Sequence, residues 1–114
     1  MSIQFSDNAI MLNAVAATTT SETFDISKRQ LVSIQFIADT GLSVFTIDAS
    51  NDGTNWVTGI AFLDSKATAT GTSVTSKSVS SSTAMAIVNP SFRYIRVVAT
   101  YTSGTASAVL ESKG

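Results

Sequence analysis

The chain has no cysteine, no histidine and a single proline, Pro90. Without cysteine there is neither a disulfide framework nor a thiolate site. Without histidine, the commonest general base and the commonest transition-metal ligand are both missing. Charge is sparse too: seven Lys and Arg against eight Asp and Glu leave a net charge of −1. Lys28-Arg29 is the only adjacent basic pair, so no basic stripe exists to neutralise nucleic-acid phosphates. No apolar run approaches the ~20 residues of a membrane-spanning helix. Met1 to Asn8 lacks a basic segment followed by an apolar run, so no signal peptide is expected.

Catalysis finds little material. Serine is abundant, but no histidine can activate it, and no Ser-x-x-Lys motif offers a lysine base instead. No Gly-rich phosphate loop and no metal-ligand cluster appears. The expectation is a protein that is not an enzyme and carries no cofactor and no metal.

What is present reads as β structure. Apolar residues make up 44% of 114 residues, enough for one domain with one core. Thr favours strands through its branched β-carbon, and Ser fills turns and solvated faces. Val32, Ile34, Phe36 and Ala38 share one face at period two. So do Phe45, Ile47 and Ala49, then Ile95, Val97, Ala99 and Tyr101, and finally Ala106, Ala108 and Leu110. Shorter strands are expected at Ala9 to Val15, Thr23 to Ile26 and Thr72 to Ser80. At Ala84 to Val88, Met85 and Ile87 share a face. Trp56, Thr58, Ile60 and Phe62 alternate as well.

Between these runs, Ala16 to Ser21, Asp39-Thr40-Gly41 and Asp64 to Gly71 read as loops or turns, and Ser80-Ser81-Ser82 as a flexible tip. Leu42 and Val44 break the alternation, which places a bulge near Val44. Asn51-Asp52-Gly53 closes a hairpin, since Gly supplies positive φ and Asn and Asp tolerate it. Ser-Ile-Gln-Phe occurs at both Ser2 and Ser33; four residues without flanking similarity do not make a repeat. The fold class is an all-β antiparallel sandwich or jelly roll of about eight strands. One domain covers residues 1–114, with 1–21 a candidate N-terminal arm.

Six residues are candidate ligand or partner contacts: Asn51, Asp52, Asn55, Trp56, Arg93 and Arg96. Asp48, Asn51, Asp52 and Asn55 gather oxygen atoms around one turn, but two carboxylates make a poor calcium site, and Asn-Asp-Gly is what a tight turn requires. Trp56 could stack on a sugar ring or plug one end of the sandwich, and the core reading is favoured. Arg93 and Arg96 flank Tyr94 and could clamp a carboxylate or pair with Asp25 or Asp48.

Val44, Asp48, Ser50-Asn51-Asp52-Gly53 and Trp56, followed by Arg93-Tyr94-Ile95-Arg96-Val97, resemble the core of discoidin-type sandwiches. The resemblance spans Val44 to Val97 and implies a related sandwich; the ligand binding of that family implies a carbohydrate-directed module. Over the whole chain, Ser-Asn-Asp-Gly-Thr-Asn-Trp and the closing Tyr-Thr-Ser-Gly-Thr-Ala-Ser-Ala-Val-Leu hairpin look like structural proteins of tailed bacteriophages. That likeness implies a virion protein, made in the host cytoplasm, that decorates a head or builds a tail. Its expected partners are other copies of itself, with a trimer favoured, and a major capsid or tail protein. A glycan partner is the alternative; nucleic acid and membrane are not expected partners.

Overall fold

The computed structural model describes residues 6–64 and 72–113. Its nine strands are β1 (Ser6–Val15), β2 (Thr19–Thr20), β3 (Phe24–Asp25), β4 (Leu31–Ser50), β5 (Phe62–Asp64), β6 (Thr72–Val74), β7 (Lys77–Val88), β8 (Tyr94–Tyr101) and β9 (Thr105–Lys113). All strand pairs are antiparallel, and hydrogen bonds join all nine strands. The all-β expectation therefore holds.

The sheet is folded over, and β4 is the hinge of the fold. Its first half pairs with β9 and with the end of β7; its second half pairs with β8 and with the start of β7. One layer is thus β1-β9-β4-β7-β5-β6, and the other is β7-β4-β8 with β2 and β3 on the far side of β8. In a straight strand Phe36 and Phe45 would stand about 30 Å apart. Their rings instead stack at 4.6 Å and 8°, so the two halves of β4 face each other across the core.

The corner lies between Ala38 and Leu42. There three residues of β4, 39–41, pass against one of β7, Ser81. The buried side chains change parity across the corner on both strands, from Val32, Ile34, Phe36 and Ala38 to Ser43, Phe45, Ile47 and Ala49 on β4, and from Val88, Ala86 and Ala84 to Val79 on β7. Thr40 (φ 56°) and Ser81 (φ 45°) take left-handed backbone at this place on the two adjacent strands. Gly104 (φ 74°) turns β8 into β9 directly against it. A β-carbon on Gly104 would lie 2.7 Å from the Asp39 carbonyl oxygen, and one on Gly41 would meet the Ser103 carbonyl. Both glycines are there because two backbones touch.

This corner corrects four sequence expectations. Asp39-Thr40-Gly41 bends one 20-residue strand rather than ending it. The irregularity falls before Leu42, not near Val44. Ser80-Ser81-Ser82 is the matching bend inside β7, not a tip. Thr72 to Ser80 and Ala84 to Val88 therefore regroup as short β6 and long β7. The loop expected at Ala16 to Ser21 also contains β2, which pairs Thr19 and Thr20 with Ala99 and Val98. Of the candidate arm, residues 6–15 run along β9 as an edge strand. The first Ser-Ile-Gln-Phe and residues 65–71 lie outside the described residues.

Large side chains pack beside small ones. Phe36 sits between Ala108 of β9 and Ala84 of β7 in register, and Ile34 sits between Leu110 and Ala86. Phe62 adds an edge-on contact to Phe36 at 5.8 Å. Because Ala84, Ala86, Ala106 and Ala108 take little volume, the Phe rings can lie flat in the middle of the core.

Candidate functional site

All six sequence-selected residues come together at one end of the sandwich, where β4 ends and β8 begins. Ser50 is buried there, and its hydroxyl accepts from the backbone N–H of Gly53 at 2.9 Å and of Asp52 at 3.3 Å. Asp52 Oδ1 accepts from the N–H of Thr54 and of Asn55, both at 2.8 Å, and from the Ser50 hydroxyl at 3.0 Å. Its Oδ2 accepts from the Asn55 amide at 2.8 Å. The Asn55 hydrogen bonds, then those of Thr54 and Ser50, hold the Asp52 carboxyl far below the usual carboxylate range. Asn51 Oδ1 accepts from the Arg93 N–H at 3.0 Å and ties the turn to the chain entering β8. Gly53 takes φ 76° and lies against the Tyr94 ring, over which the Arg93 guanidinium sits at 5.0 Å.

The turn is wider than a two-residue hairpin loop. Ala49 and Val57 exchange backbone hydrogen bonds of 3.0 and 2.9 Å, and the Ile60 N–H donates to Ile47 at 2.8 Å. This return segment covers Asp48, whose Oδ1 accepts from the Gly59 N–H at 3.2 Å. Asp48 Oδ2 receives Arg96 Nε at 3.1 Å, the pairing the sequence offered. Arg96 then lies over the Trp56 ring, 4.1 Å from its centroid. Trp56 is half-buried at the rim rather than in the core, and Thr58 is exposed; only Ile60 and Phe62 of that alternating run point inward.

Chemically, this end of the molecule is a structural clasp. The Asp52 carboxylate spends both oxygens on its own turn, Asp48 spends both on Gly59 and Arg96, and the guanidinium occupies a Trp56 face. Among the described residues no three acidic side chains gather as a metal cluster.

A different surface stands out, and the sequence reading passed over it. Six large apolar side chains are exposed among the described residues: Ile10, Leu31, Val57, Leu63, Met85 and Ile87. Five of them lie on the outer face of the β1-β9-β4-β7-β5 layer. Ile10 stands opposite Val109, Val109 opposite Gln35, and Gln35 opposite Met85. One row along, Glu111 stands opposite Ser33, Ser33 opposite Ile87, and Ile87 opposite Leu63. The outer face of the other layer carries no large exposed apolar residue among those described. The signal was present at Met85 and Ile87: the small Ala84 and Ala86 fill the core, so the two larger side chains face out.

At one end of this face a groove of about 570 Å³ runs between Leu31, Ser33, Leu63 and Ile87, with Glu111 and Lys113 on its β9 side. Ala61 joins it to a smaller groove of about 390 Å³ lined by Val57, Ile60 and Phe92. Burying an apolar face of this kind against other apolar surface is favourable.

No protein-family model and no curated protein sequence matches the chain. Solved structures do match its fold. The SPBc2 prophage-derived protein YomS superposes with a TM-score of 0.83 at 6% identity, over 100% of this chain and 97% of that one. The PBSX exported protein XepA superposes with a TM-score of 0.80 at 9% identity, over 100% of this chain and 39% of that one. The chain thus spans well under half of XepA and nearly all of YomS. Its folded-over sheet is the fold of the prophage-derived YomS and of part of XepA.

Proposed function

We propose that this chain is a non-enzymatic structural protein of a phage particle, a head-decoration or tail component that works by assembling with copies of itself. The single observation that carries this reading is the exposure of Ile10, Leu31, Leu63, Met85 and Ile87 on one face, five of the six large apolar side chains exposed among the described residues. A monomer gains nothing by wetting these side chains on one face, whereas an assembly gains roughly 25 cal/mol for each Å² it buries. The fold likeness to prophage-derived YomS and to XepA of PBSX supports the phage setting. The sparse charge, net −1, suits a surface that lies against other protein.

The glycan alternative has less behind it, because a Trp56 face that would stack on a sugar lies under Arg96. Mass spectrometry of gradient-purified phage particles from the strain that encodes the chain tests the virion role. Its peptides should co-purify with the major capsid or tail protein; particles without them contradict the proposal.

A further inference from the structure

We propose that the groove between Leu31, Leu63 and Ile87 receives a second copy of this chain, related by a half-turn about an axis crossing the strands at the level of Val32, Ser112 and Val88. The inference rests on the self-assembly reading above and adds to it the contact, the partner and the symmetry.

Strand register places the axis. Val32 pairs with Ser112 on one side and Val88 on the other, so these three residues mark one line across the sheet. On one side of the line the outward residues are Glu111, Ser33, Ile87 and Leu63. On the other side, two residues along each chain, they are the paired Lys113 and Leu31, then the exposed Asn89 and Ala61 just beyond the ends of β7 and β5. A half-turn about the line lays the first row of one copy over the second row of the other.

The two rows complement each other position by position. Glu111 meets the opposite charge of Lys113, and because the contact is isologous this happens twice. Leu31 meets the small Ser33, and Leu63 meets the small Ala61, so each large side chain enters the space beside a small one. Ile87 meets Asn89. These charges are the two that border the groove, and they are of opposite sign. A copy of the same face therefore brings no like-charge contact, whereas a partner of one net sign would be repelled by one of them. Ile10 and Met85 continue the apolar face beyond the groove.

A half-turn contact gives an even number of chains, which departs from the trimer expected from the sequence. With two short rows at its centre the contact is small, and a dissociation constant on the order of micromolar is expected.

The test is light scattering coupled to size-exclusion chromatography on the full chain, over about 1 to 300 µM, for wild type, Glu111→Lys, the double variant Glu111→Lys/Lys113→Glu, and Ile87→Glu. All three positions are partly or fully exposed, so the fold is retained, which circular dichroism checks. Wild type should give an even count. Glu111→Lys sets lysine against lysine twice and should raise the dissociation constant about tenfold. The double reversal should restore it, and Ile87→Glu should give monomer. An odd-numbered wild-type oligomer, or one indifferent to all three variants, overturns this contact and leaves self-assembly standing. A wild-type monomer throughout the range overturns both.

Discussion

The guanidinium of Arg96 lies 4.1 Å from the centroid of the Trp56 ring while its Nε holds Asp48 at 3.1 Å. One side chain therefore both covers the indole and neutralises a carboxylate that is 4% exposed. Arg96→Ala should cost about 2–3 kcal/mol, because it leaves the buried Asp48 charge without its counter-ion and removes the cation–π contact. Trp56 emission should shift to the red as the ring gains solvent. Arg96→Lys keeps the charge but not the planar stack, so it should recover part of the stability and little of the spectrum. Urea unfolding with fluorescence detection checks both; an unshifted spectrum in Arg96→Ala contradicts the contact.

Asp52 gives a pH signature. Its folded pKa is depressed, by the hydrogen bonds from Asn55 first and then those from Thr54 and Ser50. A depressed acid stabilises the fold above its unfolded value of 3.8, and that contribution disappears as pH falls through the lower folded value. At pH 3 the folded-state carboxylate should still be ionised. Side-chain carboxyl carbon shifts followed by NMR from pH 6 downward check this, and a midpoint near 3.8 contradicts the turn geometry.

The corner predicts an asymmetric response to small substitutions. Gly41→Ala drives a methyl into the Ser103 carbonyl, and Gly104→Ala combines a close contact at 2.7 Å with φ 74°. Each should destabilise by about 2–4 kcal/mol in chemical denaturation. Gly59→Ala, whose added carbon would find nothing nearer than 3.9 Å, carries only the cost of its φ of 65° and should lose about 1 kcal/mol. Equal losses at all three positions contradict the close approach of the two glycine backbones.

Ser43 is fully buried just past the corner, and its Oγ has no hydrogen-bond partner among the described residues. Removing a buried hydroxyl that makes no bond removes a desolvation cost. Ser43→Ala should therefore be neutral or stabilise by up to about 1 kcal/mol in thermal unfolding. A loss of 2 kcal/mol or more, roughly the cost of breaking a satisfied buried bond, contradicts that placement.

Much of the fold was legible because strand alternation is a strong signal where one face is buried. The inward sets on both halves of β4, on β8 and on β9 follow directly from period two, and the Asn51-Asp52-Gly53 turn follows from its turn-forming residues. The corner was not legible. Gly41 after Asp39-Thr40 carries the composition of a chain reversal, and the left-handed backbone at Thr40 and Ser81 belongs to residue types that give no notice of it. The unbroken strand from Leu31 to Ser50 shows that the chain continues there, and the facing of Phe36 and Phe45 shows that it folds over. Trp56 misled for a related reason. Its alternation with Ile60 and Phe62 is genuine, but the return segment leaves the core before reaching it and hands the ring to Arg96. The apolar outer face was hidden because inward and outward apolar residues look alike in sequence. What separates them is volume: Phe36 leaves room beside it for Ala84 and Ala108 only, so Met85 and Ile87 must point to solvent.

Assembly through the exposed apolar face of the β1-β9-β4-β7-β5 layer is the role proposed for this chain. Sedimentation equilibrium on the purified full chain tests it most directly. A single defined multiple of 11.9 kDa at tens of micromolar, dissociating when Ile87 is changed to Glu, is the predicted result. A mass of one chain at every concentration, for wild type and variant alike, contradicts it.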